Sequence, residues 1–446
     1  MSHKQPSRRE FLQTSTAIAG AAALAGGLSI ARTAHAKGSD ALKVALIGCG
    51  GRGKGAVSDH LNAVEGTTVI AVADAFEKNA QTAVDHLHKA FPSRTDIPPE
   101  RMFVGLDAYE KAIAAGPDLC IFATPPGFRP YHYRAAIQAG KHVFMEKPCC
   151  VDAVGYNILM QANQLAEDRK LKVGVGFQRR HMNRYKETIQ RIHDGALGKL
   201  MLLQAFWNGG GIWNRKHEPD DTELMYQVRN WYHFCWLSGD NICEQHIHNL
   251  DVCNWAFDKQ GDPKLAHPVE ANGMGGCTQR YVGEFRGTGQ IFDHHFVEFT
   301  YADGTKMFSQ CRQIPHTWTS ITEAMRGTEG DAAPGLLTGK CEWKFDAKQS
   351  TQKFKKEMEQ EHYDLVTAIR GGQPYCEGWH GASSSMTAVL GRMATYSGQI
   401  VKWDDAVAKG KTEMPQGKLA WNTPAPVCKD KDGLYPIPVP GAYKPY

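Results

Sequence analysis

The sequence predicts an α/β fold: a doubly wound domain on a parallel sheet, then an α+β domain on a large, mostly antiparallel sheet. Three observations predict it. A short apolar run, Lys43-Val44-Ala45-Leu46-Ile47, ends in Gly48-x-Gly50-x-x-Gly53 and passes straight into a helical pattern. Strand-like and helix-like stretches then alternate to about residue 159, which implies βα units and a parallel sheet. From Lys199 onward the texture changes. Strand-like runs over 201–207, 296–301 and 306–310 are separated by turns such as Ala302-Asp303-Gly304, the pattern of antiparallel pairing.

The glycine loop carries the first functional reading. Gly48 permits the tight turn, Gly50 lets backbone approach a pyrophosphate, and Gly53 lets helix and strand pack closely. With Gly51 and Arg52 they form a helix N-terminus, where unpaired N–H groups and the helix dipole favour an anion. A second apolar run over 68–73 ends in Asp74, about 20 residues on, where a ribose-binding carboxylate belongs. A turn with an acidic cap would share these residues; the strand–turn–helix context and the spacing favour a dinucleotide. The charge of Asp74 repels a 2′-phosphate, so NAD is expected over NADP.

The remaining elements follow in order. A helix is expected over 77–91, then a loop with Pro92, Pro98 and Pro99. A buried strand over 119–123 stops at Thr124-Pro125-Pro126. A helix over 131–139 is closed by Gly140, and a strand over 141–145 ends in Glu146-Lys147-Pro148. Ligands bind beyond the carboxyl ends of such strands, which makes Gly48, Asp74, Thr124, Pro125 and Glu146 candidates. An amphipathic helix over 152–169 leads away, and a new region begins near 173. Late helices are expected over 357–370 and 383–401, and a proline- and lysine-rich tail should form an irregular surface strap. The expected domains are 1–36 (leader), 37–165 (Rossmann domain), 166–410 (substrate and oligomerisation domain) and 411–446 (tail).

The leader contains Ser7-Arg8-Arg9-Glu10-Phe11-Leu12, a weakly apolar stretch from Ala17 to Ile30, and Ala34-His35-Ala36. Paired arginines, a short apolar region and a small-x-small site read as a twin-arginine (Tat) export signal, with a periplasmic or exported destination. That route carries folded proteins, so a cofactor would travel inside. Removing 1–36 takes away four basic residues and one acidic residue, and the net charge falls from +4 to about +1. That balance offers no electrostatic case for nucleic acid or an anionic membrane. The twelve cysteines sit singly in apolar segments or, at Cys149-Cys150, side by side. With no CxxC pair they read as free thiols, and no structural zinc is expected.

Two stretches carry chemistry. In Glu146-Lys147-Pro148 a lysine at the sheet's carboxyl edge can reach a substrate hydroxyl, and the proline fixes the turn, with a cis bond open to it; a solvated Glu-Lys pair is the plain alternative. In 238–251 four acid or imidazole groups crowd together: Glu244, His246, His248 and Asp251. As one helix, Glu244, His248 and Asp251 share a face, where a carboxylate can orient His248 as a general base. A zinc or iron site would need His246 and His248 together, but helical spacing sets them about 160° apart, so no metal is expected. Histidines satisfied in a polar core remain the bland reading.

On the glycine loop with Asp74, on Ala139-Gly140-Lys141-His142-Val143-x-x-Glu146-Lys147-Pro148, and on Glu244-Gln245-His246-Ile247-His248, the chain resembles the glucose–fructose oxidoreductase, inositol dehydrogenase and rhizopine-catabolism family (Gfo/Idh/MocA) over roughly 42–407. The resemblance implies a catalytic Lys147 and a proton-exchanging His248, with Glu244 where the family usually has aspartate. It also implies a sugar, polyol or glycoside substrate in a cleft between the domains. Gln178, Arg179, Arg180, Tyr226, Arg229, Trp231 and Asp251 are the candidates to line that cleft. Arg229-Asn230-Trp231-Tyr232 resembles exported members of the family. The expected function is hydride transfer between such a hydroxyl and nicotinamide, with NAD retained through turnover and a homo-oligomeric assembly. An NAD-using glycosidase and a non-enzymatic sugar-binding protein are the alternatives.

Overall fold

The structure, a computed structural model, describes residues 41–258, 261–278, 286–415 and 417–446; the expected export signal at 1–36 lies outside the described residues. The first sheet runs through β1 (Leu42–Ile47), α1 (Gly51–Ala63), β2 (Thr67–Asp74), α2 (Glu77–Ala90), β3 (Met102–Val104), α3 (Ala108–Ala114), β4 (Leu119–Phe122), α4 (Arg129–Gln138), β5 (His142–Met145), α5 (Ala153–Asp168) and β6 (Val173–Val175). Its order is β3-β2-β1-β4-β5-β6, all parallel. The switch point falls between β1 and β4, where the chain reverses direction across the sheet and a crevice opens.

Alternation along β1 explains both cores. Val44 and Leu46 face a cluster with Val57, Leu61 and Leu87 of α1 and α2. Ala45 and Ile47 face the other way, onto Tyr133, Ile137 and Leu159 of α4 and α5. A parallel sheet buried on both faces needs such continuous apolar strands.

The second domain begins with α6 (Asn183–His193) and β7 (Leu200–Gly209). Next come α7 (Glu223–Arg229), α8 (Cys235–Ser238), α9 (Asn241–Glu244) and α10 (Ile247–Phe257). Strands follow: β8 (Glu270–Gly276), β9 (His294–Thr300), β10 (Lys306–Gln313), β11 (Ser320–Gly327), β12 (Gly330–Ala333), β13 (Leu336–Gly339) and β14 (Trp343–Lys344). The chain closes with α11 (Glu357–Gly371), α12 (Gly378–Ser397), β15 (Val401–Lys402) and α13 (Trp403–Lys409). The nine strands run β14-β13-β12-β11-β7-β10-β9-β8-β15. Among the described residues of this sheet only the β7–β10 pair is parallel. Strand β9 alternates half-buried and buried residues, so one face packs on α10 and α12 and the other is open.

Three boundaries differ from expectation. The first domain does not end at 165: β6 pairs with β5 through Val143, Phe144 and Met145 and completes the parallel sheet. Helix α11 also returns to this sheet from far downstream, and its Leu365 and Val366 are buried against Val44, Leu46 and Phe144. The last long helix spans 378–397 rather than 383–401. Gly398, at φ +66°, supplies the left-handed residue that ends a helix at low cost, and β15 uses the residues beyond. Among the described residues after Lys409 no helix or strand follows, and the tail buries Met414 and Tyr435 beside Leu224, Phe234 and Trp236. Cys49, Cys120, Cys149, Cys150, Cys235, Cys243, Cys253 and Cys311 are buried thiols outside any disulfide.

Candidate active site

The loop between β1 and α1 explains each glycine separately. Gly48 has φ +94° and lies so close to β4 that a Cβ would stand 2.6 Å from the Ala123 carbonyl carbon. A Cβ on Gly53 would stand 1.8 Å from the Gly48 oxygen. Gly50 differs: it caps α1 with no side-chain hydrogen bond, and a Cβ there would meet nothing within 4 Å. Two glycines thus close the backbone and one leaves space over a helix N-terminus whose first N–H groups lack helical partners. This geometry fits a pyrophosphate.

That space belongs to a groove of about 1000 Å³ running between the two domains. Gly48, Gly50, Gly51, Arg52, Gly53, Asp74, Thr124, Pro125, Glu146 and Lys147 all line it. Asp74 accepts from the backbone N–H of Cys49 at 2.7 Å and of Phe76 at 2.9 Å, and from Asn79 Nδ2 at 3.1 Å. Burial pushes its carboxyl up, while the Phe76 and Cys49 bonds pull it back. Its two oxygens keep acceptor capacity for a ribose diol. Arg52 donates from Nε to Glu146 at 2.6 Å and meets Asp59 at 3.2 Å, tying the glycine loop to the strand end before Lys147. Arg129, buried, donates to the backbone carbonyls of Thr124 and Pro148 and holds those two loops together. The Lys147–Pro148 bond is cis.

At the far end of the groove stand Lys147, Glu244 and His248. The expected single helix across 244–251 is broken: α9 ends at Glu244 and α10 starts at Ile247. Asp240 fixes the start of α9, as its N-cap. It has φ +81°, and its buried carboxylate accepts from the Phe292 N–H at 2.9 Å, from Tyr396 Oη, and lies 3.1 Å from His295 Nε2. The carboxylate of Glu244 therefore serves Lys147, not His248. Lys147 Nζ donates to the Glu244 carbonyl at 2.5 Å and lies 3.3 Å from its Oε1. Burial pushes the Glu244 carboxyl up, against the pull of Lys147 and Arg129. Burial, then the charges of Lys147, Arg179 and Arg52, push His248 well below the ordinary histidine value, so its imidazole is neutral at neutral pH. His248 Nδ1 and Glu244 Oε2 are buried without a protein hydrogen-bond partner, a pair that a polar ligand would satisfy. His246 bonds Ser309 at 2.7 Å and is buried away from His248's side of the cleft.

Of the other cleft candidates, Gln178, Arg229 and Trp231 line the groove. Arg229 also makes a two-bond contact with Asp221, at 2.6 and 3.1 Å. Arg179, Arg180, Tyr226 and Asp251 do not. The turn at Gln178–His181 points both arginines into the second domain, where buried carboxylates require cations. Arg179 pairs with Glu323. Arg180 holds Asp251 through Nε at 2.8 Å and Nη2 at 2.9 Å, and Ser384 adds a bond at 2.8 Å. Tyr226 stacks on His217 with centroids 4.7 Å apart and donates to the Thr288 carbonyl at 3.3 Å. The groove adds residues that sequence reasoning missed: Trp207, Trp213, Arg215, Lys216 and Glu218 on the substrate side, and Phe76, Leu106 and Glu361 elsewhere. The Trp and charged residues between β7 and α7 were the available signal.

The fold and the loop define a Rossmann-type, dinucleotide-binding class of domain. Residues 42–177 match the GFO_IDH_MocA model, described as an oxidoreductase family with an NAD-binding Rossmann fold, and over that stretch the chain is similar to this family. It is 30% identical to an inositol 2-dehydrogenase of Acidiphilium cryptum over 221 residues, covering 49% of this chain and 54% of that protein. It is 30% identical to another, from Pseudomonas savastanoi pv. phaseolicola, over 52% and 65% of the two chains. The chain spans about half to two thirds of the length of these curated relatives. Among solved structures, scyllo-inositol dehydrogenase from Lactobacillus casei with bound NAD(H) and scyllo-inositol superposes with a TM-score of 0.60 at 17% identity, covering 82% of this chain and 99% of that one. Aldose-aldose oxidoreductase from Caulobacter crescentus, complexed with glycerol, gives 0.58 at 16%, covering 81% and 99%. At such identities these two establish the fold.

Proposed function

We propose that this protein is an NAD-dependent dehydrogenase acting on a secondary hydroxyl of an inositol, sugar or related polyol. The observation that carries the reading is the convergence of Lys147, Glu244 and a neutral His248 at the end of the groove that starts at the open glycine loop. When bound, nicotinamide supplies the hydride acceptor. The neutral His248 imidazole takes the hydroxyl proton, and the Lys147 ammonium, fixed by Glu244, stabilises the developing alkoxide. Trp207, Trp213 and Trp231 offer apolar faces for ring C–H groups, and Gln178, Arg215 and Lys216 offer polar contacts for hydroxyls.

The paired Arg8-Arg9 leader supports export through the Tat machinery to the periplasm, with NAD carried inside and kept through turnover. The open face of the second sheet presents Phe206, Phe296 and Phe308, and Met274 at 71% exposure, which supports a homo-oligomer. The test is direct. Purified protein is denatured and assayed for released nicotinamide nucleotide, and native protein is screened with inositols and aldoses for reduction of the cofactor. No nucleotide and no NAD binding would sink the reading. Loss of all activity on dialysis, restored by added NAD, would sink the retained-cofactor part alone.

A further inference from the structure

We infer that the C-terminal strap forms the back wall of the dinucleotide groove, with Trp421 as a positioning residue that acts through Phe76; this rests on the cofactor reading above. Phe76 stands two residues beyond Asp74, and its backbone N–H binds the Asp74 carboxylate at 2.9 Å. Its ring is held from two sides. Trp421 packs against it with centroids 5.3 Å apart and a 34° tilt, and the Arg229 guanidinium lies 4.8 Å from its centroid. The contact belongs to a wider seam. Phe76, Leu106, Phe128 and Trp231 all line the groove, and all pack on the cluster that takes in Trp421 and Val427 of the tail.

The strap is fastened where it passes. The Glu413 N–H donates to Asp152 Oδ2 at 2.7 Å, and Gln227 Nε2 donates to the Val427 carbonyl at 2.6 Å. Among the described residues between these anchors the tail has no helix or strand to stiffen it, so its register against Phe76 is set by side-chain packing. A ring held on one face only by a strap residue moves when that residue is lost, and Asp74 is bonded to the same backbone. The strap thus sets how firmly the ribose end of the groove keeps its ligand.

The test uses the full-length protein and NAD as probe. Trp421→Ala is expected to raise the NAD dissociation rate by at least about fivefold and to raise KM for NAD, with kcat at saturating NAD within about twofold of wild type. Trp421→Phe, which keeps a ring, should restore the slow release. Coupling is reciprocal, so saturating NAD should slow amide hydrogen exchange around residues 419–427 of the unmodified protein, a readout that needs no variant to fold. Wild-type release from Trp421→Ala, or unchanged exchange in the strap, overturns the inference. Unmodified protein that holds no nicotinamide nucleotide as purified and binds no added NAD overturns the cofactor reading itself, and with it this one.

Discussion

Lys147 Nζ is bound twice by one residue: the Glu244 backbone carbonyl accepts at 2.5 Å and the Glu244 carboxylate lies at 3.3 Å. A lysine of the first domain is thus seated on the last residue of a short helix in the second. Lys147→Ala should lower kcat about 100-fold, the usual scale for removing a donor aimed at a developing oxyanion. NAD affinity should change far less. Equal losses in turnover and in calorimetric NAD binding would make Lys147 a cofactor ligand instead.

The glycine loop separates folding from binding. A Gly50→Val side chain enters open space, so this variant should fold with a near-normal melting temperature and bind no dinucleotide. Gly53→Val must push against backbone, with its Cβ placed 1.8 Å from the Gly48 oxygen. It should destabilise the protein by several kcal/mol, of the order of ~3 kcal/mol or more. Paired melting and NAD-binding measurements distinguish the two outcomes.

His248 is held well below the ordinary histidine value, first by burial and then by Lys147, Arg179 and Arg52. A base must be unprotonated, so lowering its pKa extends the active range downward. The pH–rate profile should stay level from neutrality through the usual histidine range and fall only in more acidic solution. A profile that halves near pH 6.5 would refute this placement of the base.

His181 titrates with the opposite sign. Burial works against its charge, but Glu377 at 3.1 Å and Asp364 at 2.7 Å outweigh burial and raise it to about 10. Its folded value lies above its unfolded one, so its stabilisation is complete below about pH 6.5 and is lost as pH rises toward 10. In that window each pH unit should weaken the fold by up to about 1.4 kcal/mol. Denaturant melts from pH 6 to 10 should show the decline, and His181→Gln should flatten it.

What the sequence made legible was local. Gly48, Gly50, Gly53, Asp74 and Lys147 stand at strand ends, and the period-two and period-3.6 patterns around them fix their position in the sheet. The break between Glu244 and Ile247 was not legible in the helical spacing, and neither was the seat of α9, which Asp240 fixes through Phe292, His295 and Tyr396, partners 52 to 156 residues away. Arg179 and Arg180 misled for a related reason. Charges just past a strand end read as cleft groups, but Glu323 and Asp251, distant in sequence, draw them into the second domain. The strap's contact with Phe76 joins positions too far apart for any periodicity to register.

Helix α11 has a consequence for synthesis. The sheet that carries the glycine loop is laid down by Val175, yet Phe144 gains part of its cover from His362 of α11, with ring centroids 4.0 Å apart, and Leu365 and Val366 join the same buried cluster. On a ribosome the nascent nucleotide domain therefore waits through some 180 residues with part of that apolar face uncovered, open to chaperones. Its native state is reached only after α11 has been made. Dinucleotide capture would then act as a checkpoint on completeness: a chain truncated before Glu357 holds every glycine of the loop and still lacks the wall behind it.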